Sequence, residues 1–425
     1  MRARAEVGQA FQYALIIFTL TVLLGLANAL QIFGALDRDT LLTHLHSGTL
    51  GWITMGVFGI AIWMFARRNE DLSAAILLSG LGTAAYVMAF WSGVFILRGV
   101  FGLAQLAIIV YWWWFVYTRV AADGGIGRLD IPKLSVLLGL TTLVIGSTLG
   151  VIVQVLLATG NALPTGADLV GAHASAQTGG YLVLVAAGFA EWQLIGGSGR
   201  TTLGLAQVYL LFVGGLVLSA SLLLSASLPA AAAQALPGLA TLLTLAGILI
   251  ASYRVGRAAL AAPWMAPTGM RHIAIVVPFL ILAVILQAIL VQQFIAAQGD
   301  FTLVSIGLLH ALDHAYFVGV MTNALFGAIL VVTSDRGTTT LSKLPAVPRV
   351  WPWADDVIFW GLNVGTAAFI AVLIIIGSGE GKPAFTHPVA FVAPIMGLAA
   401  LLGIVTYLVR MLGTPAFLSR GRARA

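Results

Sequence analysis

The chain contains no cysteine. Disulfides, thiolate metal sites and iron–sulfur clusters are therefore excluded, because each needs a cysteine sulfur. Charge is nearly as scarce. Asp, Glu, Lys and Arg make up 8% of 425 residues, where a soluble chain carries about a quarter. Long polar stretches are missing too, so nothing is left over for a separate soluble domain. With 60% hydrophobic residues and a mean hydropathy of +1.02, the chain has more apolar surface than water tolerates. The solvent that fits is lipid.

Apolar runs bounded by charge, proline or glycine clusters predict twelve helices, over 10–34, 44–66, 73–97, 101–120, 133–158, 168–193, 202–226, 236–254, 270–297, 303–333, 355–377 and 387–411. The fold class is all-α, a single polytopic transmembrane domain over 1–425. The first run follows Arg2 and Arg4 without a small-residue cleavage site and reads as a retained helix. A cytoplasmic N-terminus puts 18 of the 21 Lys and Arg on the inner side and leaves Arg38, Arg98 and Lys382 outside. That asymmetry predicts both termini in the cytoplasm, in a bacterial-type inner or plasma membrane. It also accounts for the net charge of +6 without a nucleic-acid partner. Tyr111, Trp112, Trp113 and Trp114 are expected to anchor at the inner interface, and Glu191 is expected there as a solvated carboxylate.

The sequence also repeats. Offset by 129, His44, Thr49, Gly51, Gly59, Ala61 and Trp63 meet His173, Thr178, Gly180, Gly188, Ala190 and Trp192, and Trp52 meets Tyr181. Offset by 268, His46, Gly51, Thr54, Phe58 and Gly59 meet His314, Gly319, Thr322, Phe326 and Gly327. The matched helices are numbers 2, 6 and 10, which suggests three four-helix units over 1–130, 131–265 and 266–425. The competing explanation is chance likeness between glycine-rich membrane helices.

The seven histidines are His44, His46, His173, His272, His310, His314 and His387. All but His272 fall at or within the outer half of the predicted bundle. Ionisable groups inside a bilayer are costly and usually face the interior, and imidazole is the commonest protein ligand for heme iron and other metals. A histidine-rich, carboxylate-poor chain suits heme iron or copper and serves calcium or magnesium badly. His44 and His46 are two apart, so on a helix they point about 200° from each other and one helix can serve two sites. His310 and His314 share a face, about 6 Å apart along the axis. Glycines on helices 2, 6 and 10 let something large and flat approach. The candidate cofactor-binding residues are His44, His46, His173, His310 and His314, with His46, His314, His44 and His173 as the metal ligands. The expected pairs are His46 with His314, and His44 with His173, His310 contributing. The blander roles are interfacial solvation for His44, His46 and His272, packing for His173, and a helix cap for His387 before Pro388. Asp313 reads equally as a support for His314, a proton relay or a structural residue.

The stretch His44-Leu45-His46-Ser47-Gly48-Thr49-Leu50-Gly51-Trp52 resembles the signature of heme–copper oxidase catalytic subunits, closest to the H-V-H-S-G-x-L-G-W run of the C-type oxidases. The resemblance implies twelve helices, pseudo-threefold packing, and histidines on helices 2, 6 and 10. It implies that one histidine of the pair binds a high-spin heme and the other a low-spin heme, and that His173 corresponds to a copper ligand. The pair stands here on helix 2 instead of helix 10, and helix 7 has no histidine, so a full three-histidine copper centre is not expected. The run from His310 through Gly327 is also similar to the NnrS family of heme membrane proteins linked to nitric oxide. The expected function is electron transfer, or binding or reduction of nitric oxide or oxygen, on one or two b-type hemes. A periplasmic cytochrome or quinone would be the electron donor, and the enzyme class would be nitric oxide reductase-like or terminal oxidase-like. The alternatives are a non-enzymatic gas-responsive heme protein and a proton-coupled transporter.

Overall fold

The computed structural model describes residues 5–30, 32–33, 36–67, 70–197, 199–297, 303–334, 353–377 and 389–412. Among these, twelve helical rods run through the molecule: α1 (Ala5–Ala29), α2 (Arg38–Phe65), α3 (Ser73–Trp91), α4 (Phe95–Ala122), α5 (Ile131–Ala158), α6 (169–195), α7 (Thr202–Leu223), α8 (Ala230–Leu260), α9 (Gly269–Ala296), α10 (306–334), α11 (Ala354–Gly377) and α12 (Val389–Leu412). Eleven are continuous helices long and apolar enough to cross a membrane. The remaining rod, α6, joins Leu169–Ser175, Ala176–Leu182 and Val183–Ile195 end to end. The protein is all-α and polytopic, as its hydropathy predicts.

Helix starts follow from side-chain caps. Asp37 accepts from the Thr40 amide, Asp168 from Gly171 and Ser305 from Leu308, each satisfying an amide that the first turn leaves open. These are the starts of α2, α6 and α10. The cap at Asp37 begins α2 six residues before the expected position 44, so His44 and His46 lie within the helix and not at its mouth.

Three rods are inner. Of the spanning stretches of α2 and α10, 89% and 83% are buried, against 33% for α4 and for α12. The other nine close a ring around them: α4 packs on α5, α8 on α9, and α12 returns to α1. Lipid supplies no hydrophobic drive between such helices, so close packing and interhelical hydrogen bonds hold them. Gly215 of α7 lies against the backbone of α6, where an added Cβ would come within 2.6 Å of the Gly180 Cα.

Two expectations about interfacial residues are corrected. Glu191 is fully buried and not solvated; it takes Arg254 of α8 in two bonds of 2.6 Å, with Gln207 of α7 donating at 3.4 Å. Rise per residue gave its depth but not its facing, and the facing decides. Trp112 is likewise core, stacked on Phe58 at 5.3 Å and donating to the Ser79 hydroxyl, whereas Tyr111 and Trp114 stay exposed. One turn of α4 therefore splits between interior and lipid.

Candidate cofactor-binding site

The three inner helices depart from α-geometry at one shared register. A π-helical segment spans Ser47–Thr54 in α2, Ala176–Leu182 in α6 and Ala315–Thr322 in α10. Such segments are rare and short, and frequent at functional sites. The offset of 268 carries the first onto the third residue for residue, and the offset of 129 carries Ser47 onto Ala176. Threonine hydroxyls take up carbonyls inside the widened turns: Thr54 donates to Thr49 O and Thr322 to Phe317 O, both at 2.9 Å. The same hydroxyls accept from the neighbouring inner helix. The Trp52 indole donates to Thr322 at 3.0 Å, and the Tyr181 hydroxyl to Thr54 at 3.3 Å.

The histidines just before these segments take two kinds of position. At the first, the imidazole reaches the preceding rod. His44 Nδ1 donates to Thr21 O of α1 at 2.9 Å, and His173 Nδ1 to Gly146 O of α5 at 2.7 Å. Four residues beyond each accepting carbonyl stands a glycine, Gly25 or Gly150, whose added Cβ would come within 3.0 or 2.8 Å of the ring. At the second position the imidazole bonds its own helix and meets a phenylalanine of the following rod. His46 Nδ1 donates to Leu42 O and stacks on Phe90 of α3 at 3.8 Å. His314 Nδ1 donates to His310 O and meets the edge of Phe369 of α11 at 4.7 Å. All four rings are half-buried. Because a carbonyl only accepts, each Nδ1 carries the proton and each Nε2 keeps its lone pair. In metal-ligating histidines the second ring nitrogen commonly makes such a bond to a carbonyl.

The imidazoles of different inner helices lie within electrostatic range of one another. His46 interacts with His173 across α2 and α6, and His314 with His310 and with His44 across α10 and α2. His310 adds a third imidazole near His44 and His314.

The third junction, α6 with α10, lacks every one of these features. Its corresponding positions are Ser175 and Leu312. Gly51, Gly180 and Gly319 abut Ile17, Thr142 and Phe279 of the preceding rods. Counting eight residues on from those gives Gly25, Gly150 and Gln287, so a glutamine stands where the other two units have the glycine. Gln287 is buried and accepts from the Tyr316 hydroxyl at 2.9 Å. The aromatic–threonine bond lapses as well, with Val320 and Val183 at its two ends.

The remaining candidates fall elsewhere. His272 is fully buried, not interfacial. Its Nδ1 donates to Asn323 Oδ1 at 2.9 Å, Asn323 pairs with Asn363, and its Nε2 has no partner among the described residues. Asp313 is half-buried and without a hydrogen bond or ion pair among the described residues. His387 lies outside the described residues. Arg98, counted from sequence as an outer-loop cation, is 2% exposed and bonded to Asp39 at 2.6 Å. Sequence reasoning missed Gly25, Gly150 and Arg98. The two glycines had a signal, since an offset of 125 aligns Thr21 and Gly25 with Gly146 and Gly150. Among the described residues no group of three or more His, Asp or Glu is placed to hold a metal ion. No family model and no curated relative matches the chain.

Proposed function

We propose that the protein is an integral membrane heme protein of electron transfer, holding two b-type hemes on the axial pairs His44–His314 and His46–His173. The observation that carries this reading is the matched set of four imidazoles, each donating Nδ1–H to a backbone carbonyl and keeping Nε2 for iron. The donor sets fit heme better than a bare ion. Zinc in protein sites takes three or four protein ligands, whereas a porphyrin brings its own equatorial nitrogens and asks the protein for two axial ones. Gly25 and Gly150 give the first-position rings room, and Phe90 and Phe369 cover the second-position rings. Bound heme would supply one-electron iron chemistry, tuned by axial ligand and burial. A heme held by two imidazoles would favour electron transfer over gas binding. The reading includes three four-helix units, cytoplasmic termini, and both pairs in the outer half of a bacterial-type membrane.

A second reading, in which one site binds nitric oxide or oxygen, is favoured by His310. His310 interacts with both His44 and His314, and among the described residues no third histidine interacts with His46 and His173. The test of both is the spectrum of the purified protein. Two hemes per chain with low-spin bands untouched by carbon monoxide are expected. A carbon monoxide shift of the reduced spectrum would move the function to the gas-binding reading, and absence of a Soret band would overturn both and favour a transporter.

A further inference from the structure

The two pairs differ in their charged surroundings. Arg98 in the first turn of α4 interacts electrostatically with His46. The titratable groups that interact with His44 and His314 among the described residues are histidines. Arg98 is 2% exposed and lies over the Phe90 ring, 5.0 Å from its centroid, the same ring on which His46 stacks. Its Nη2 bonds Asp39 Oδ1 at 2.6 Å and Phe90 O at 2.8 Å, and its Nε reaches Ala89 O at 3.4 Å. Nη1 makes none of these bonds. Seven residues on, Gln105 is buried, with Oε1 taken by Thr83 and Nε2 unpartnered. Seven residues are two helical turns, so α4 presents two donors on one side, a guanidinium N–H and an amide N–H. Burying a cation costs several kcal/mol unless it is compensated, and Asp39 is itself 40% exposed, so this partner leaves room for a second anion.

We infer that Arg98 receives a carboxylate of the cofactor held by His46 and His173, a heme propionate, through Nη1. The assignment rests on the heme reading above. It makes Arg98 a cofactor-binding residue of one site only, and it turns the propionate edge of that heme toward the start of α4. Gln105 Nε2 is the second donor on the same side.

The test measures heme release to excess apomyoglobin from detergent-solubilised protein carrying His44→Ala, which leaves one pair. Arg98→Gln is expected to speed release about 10-fold or more, the size of a lost charge-assisted hydrogen bond, and Arg98→Lys to restore most of the difference. Reconstitution with hemin dimethyl ester, which has no carboxylate, should erase the effect of Arg98→Gln. Asp39→Asn removes the competing anion but keeps Arg98, so it should slow release of heme and leave release of the ester unchanged. This variant serves if Arg98→Gln fails to fold. Release unchanged by Arg98→Gln, equal acceleration by Asp39→Asn, or an effect that persists with the ester would each overturn the inference and leave Arg98 a clamp between α2 and α4. If His46→Ala in the same chain retains the heme, the heme reading itself fails instead.

Discussion

The junctions that α2 makes with α6 and α10 differ from the junction those two make with each other. At the first two, histidines of the two helices interact electrostatically and an aromatic donor meets a threonine across the interface. At the third the same registers hold serine and leucine, and valine and valine. The difference teaches that three helices alike in geometry need not be alike in chemistry. Helix geometry is kept at all three, since each inner helix has its π-helical segment. At the third, the buried Gln287, at the position of Gly25 and Gly150, accepts from the Tyr316 hydroxyl. The difference also makes α2 the shared element: it gives one ligand to each proposed site and stands in both junctions.

The largest expected effect breaks the comparison at α2. His44→Ala with His46→Ala should remove all heme, while His173→Ala should remove only one and leave the other spectrum intact. A pyridine hemochrome assay decides, and heme retained in the α2 double variant would dissolve the contrast between junctions. Next in size is the buried ion pair beside α6. Glu191→Ala should destabilise the protein by about 3 kcal/mol, because the buried Arg254 loses its carboxylate and keeps the neutral Gln207 Oε1 as a side-chain acceptor. Replacing both by Leu and Met should restore much of the loss in a thermal melt. Gly150→Val, which crowds the His173 ring, should cost occupancy at the His46–His173 site alone, by several-fold, with the other heme as internal standard; equal loss at both sites would count against separate pockets. Trp52→Phe removes one interhelical hydrogen bond and should cost about 1 kcal/mol. The smallest change sharpens the contrast from the other side. Val183→Thr with Val320→Tyr installs the missing bond between α6 and α10 and should gain no more than about 1 kcal/mol, read as a shift in melting midpoint.

Much of the fold was legible because membrane helices announce themselves by length. Boundaries missed by up to six residues, as at the start of α2, where the Asp37 cap lies before the expected position 44, and at both ends of α8, which runs over Ala230–Leu260 and not 236–254. The candidate histidines were legible for a different reason. Seven histidines in so apolar a chain are conspicuous, and their match at offsets of 129 and 268 is visible by inspection. The orientation of each ring was not legible. It is set by contacts with Thr21, Gly146, Phe90 and Phe369 on outer helices. Sequence spacing within one helix carries no information about them. Glu191 and His272 were misread for a related reason: both sit at the depth expected of interfacial groups, yet both face inward onto partners, Arg254 and Asn323, from other rods.

The π-helical segments have one more consequence. A helix that widens for one stretch and then resumes is out of phase with itself across that stretch. In each inner helix the histidine-bearing turns lie on one side of the segment, and Thr54, Val183 or Thr322 closes or follows it on the other. Deleting a single residue from the stretch would turn one half against the other by about 100°. That would leave the threonine contacts where they are and swing the imidazoles off their carbonyls. The segments thus act as couplings that let the two halves of each rod be aimed independently, one at its inner neighbours and one at the carbonyls and rings that the histidines meet.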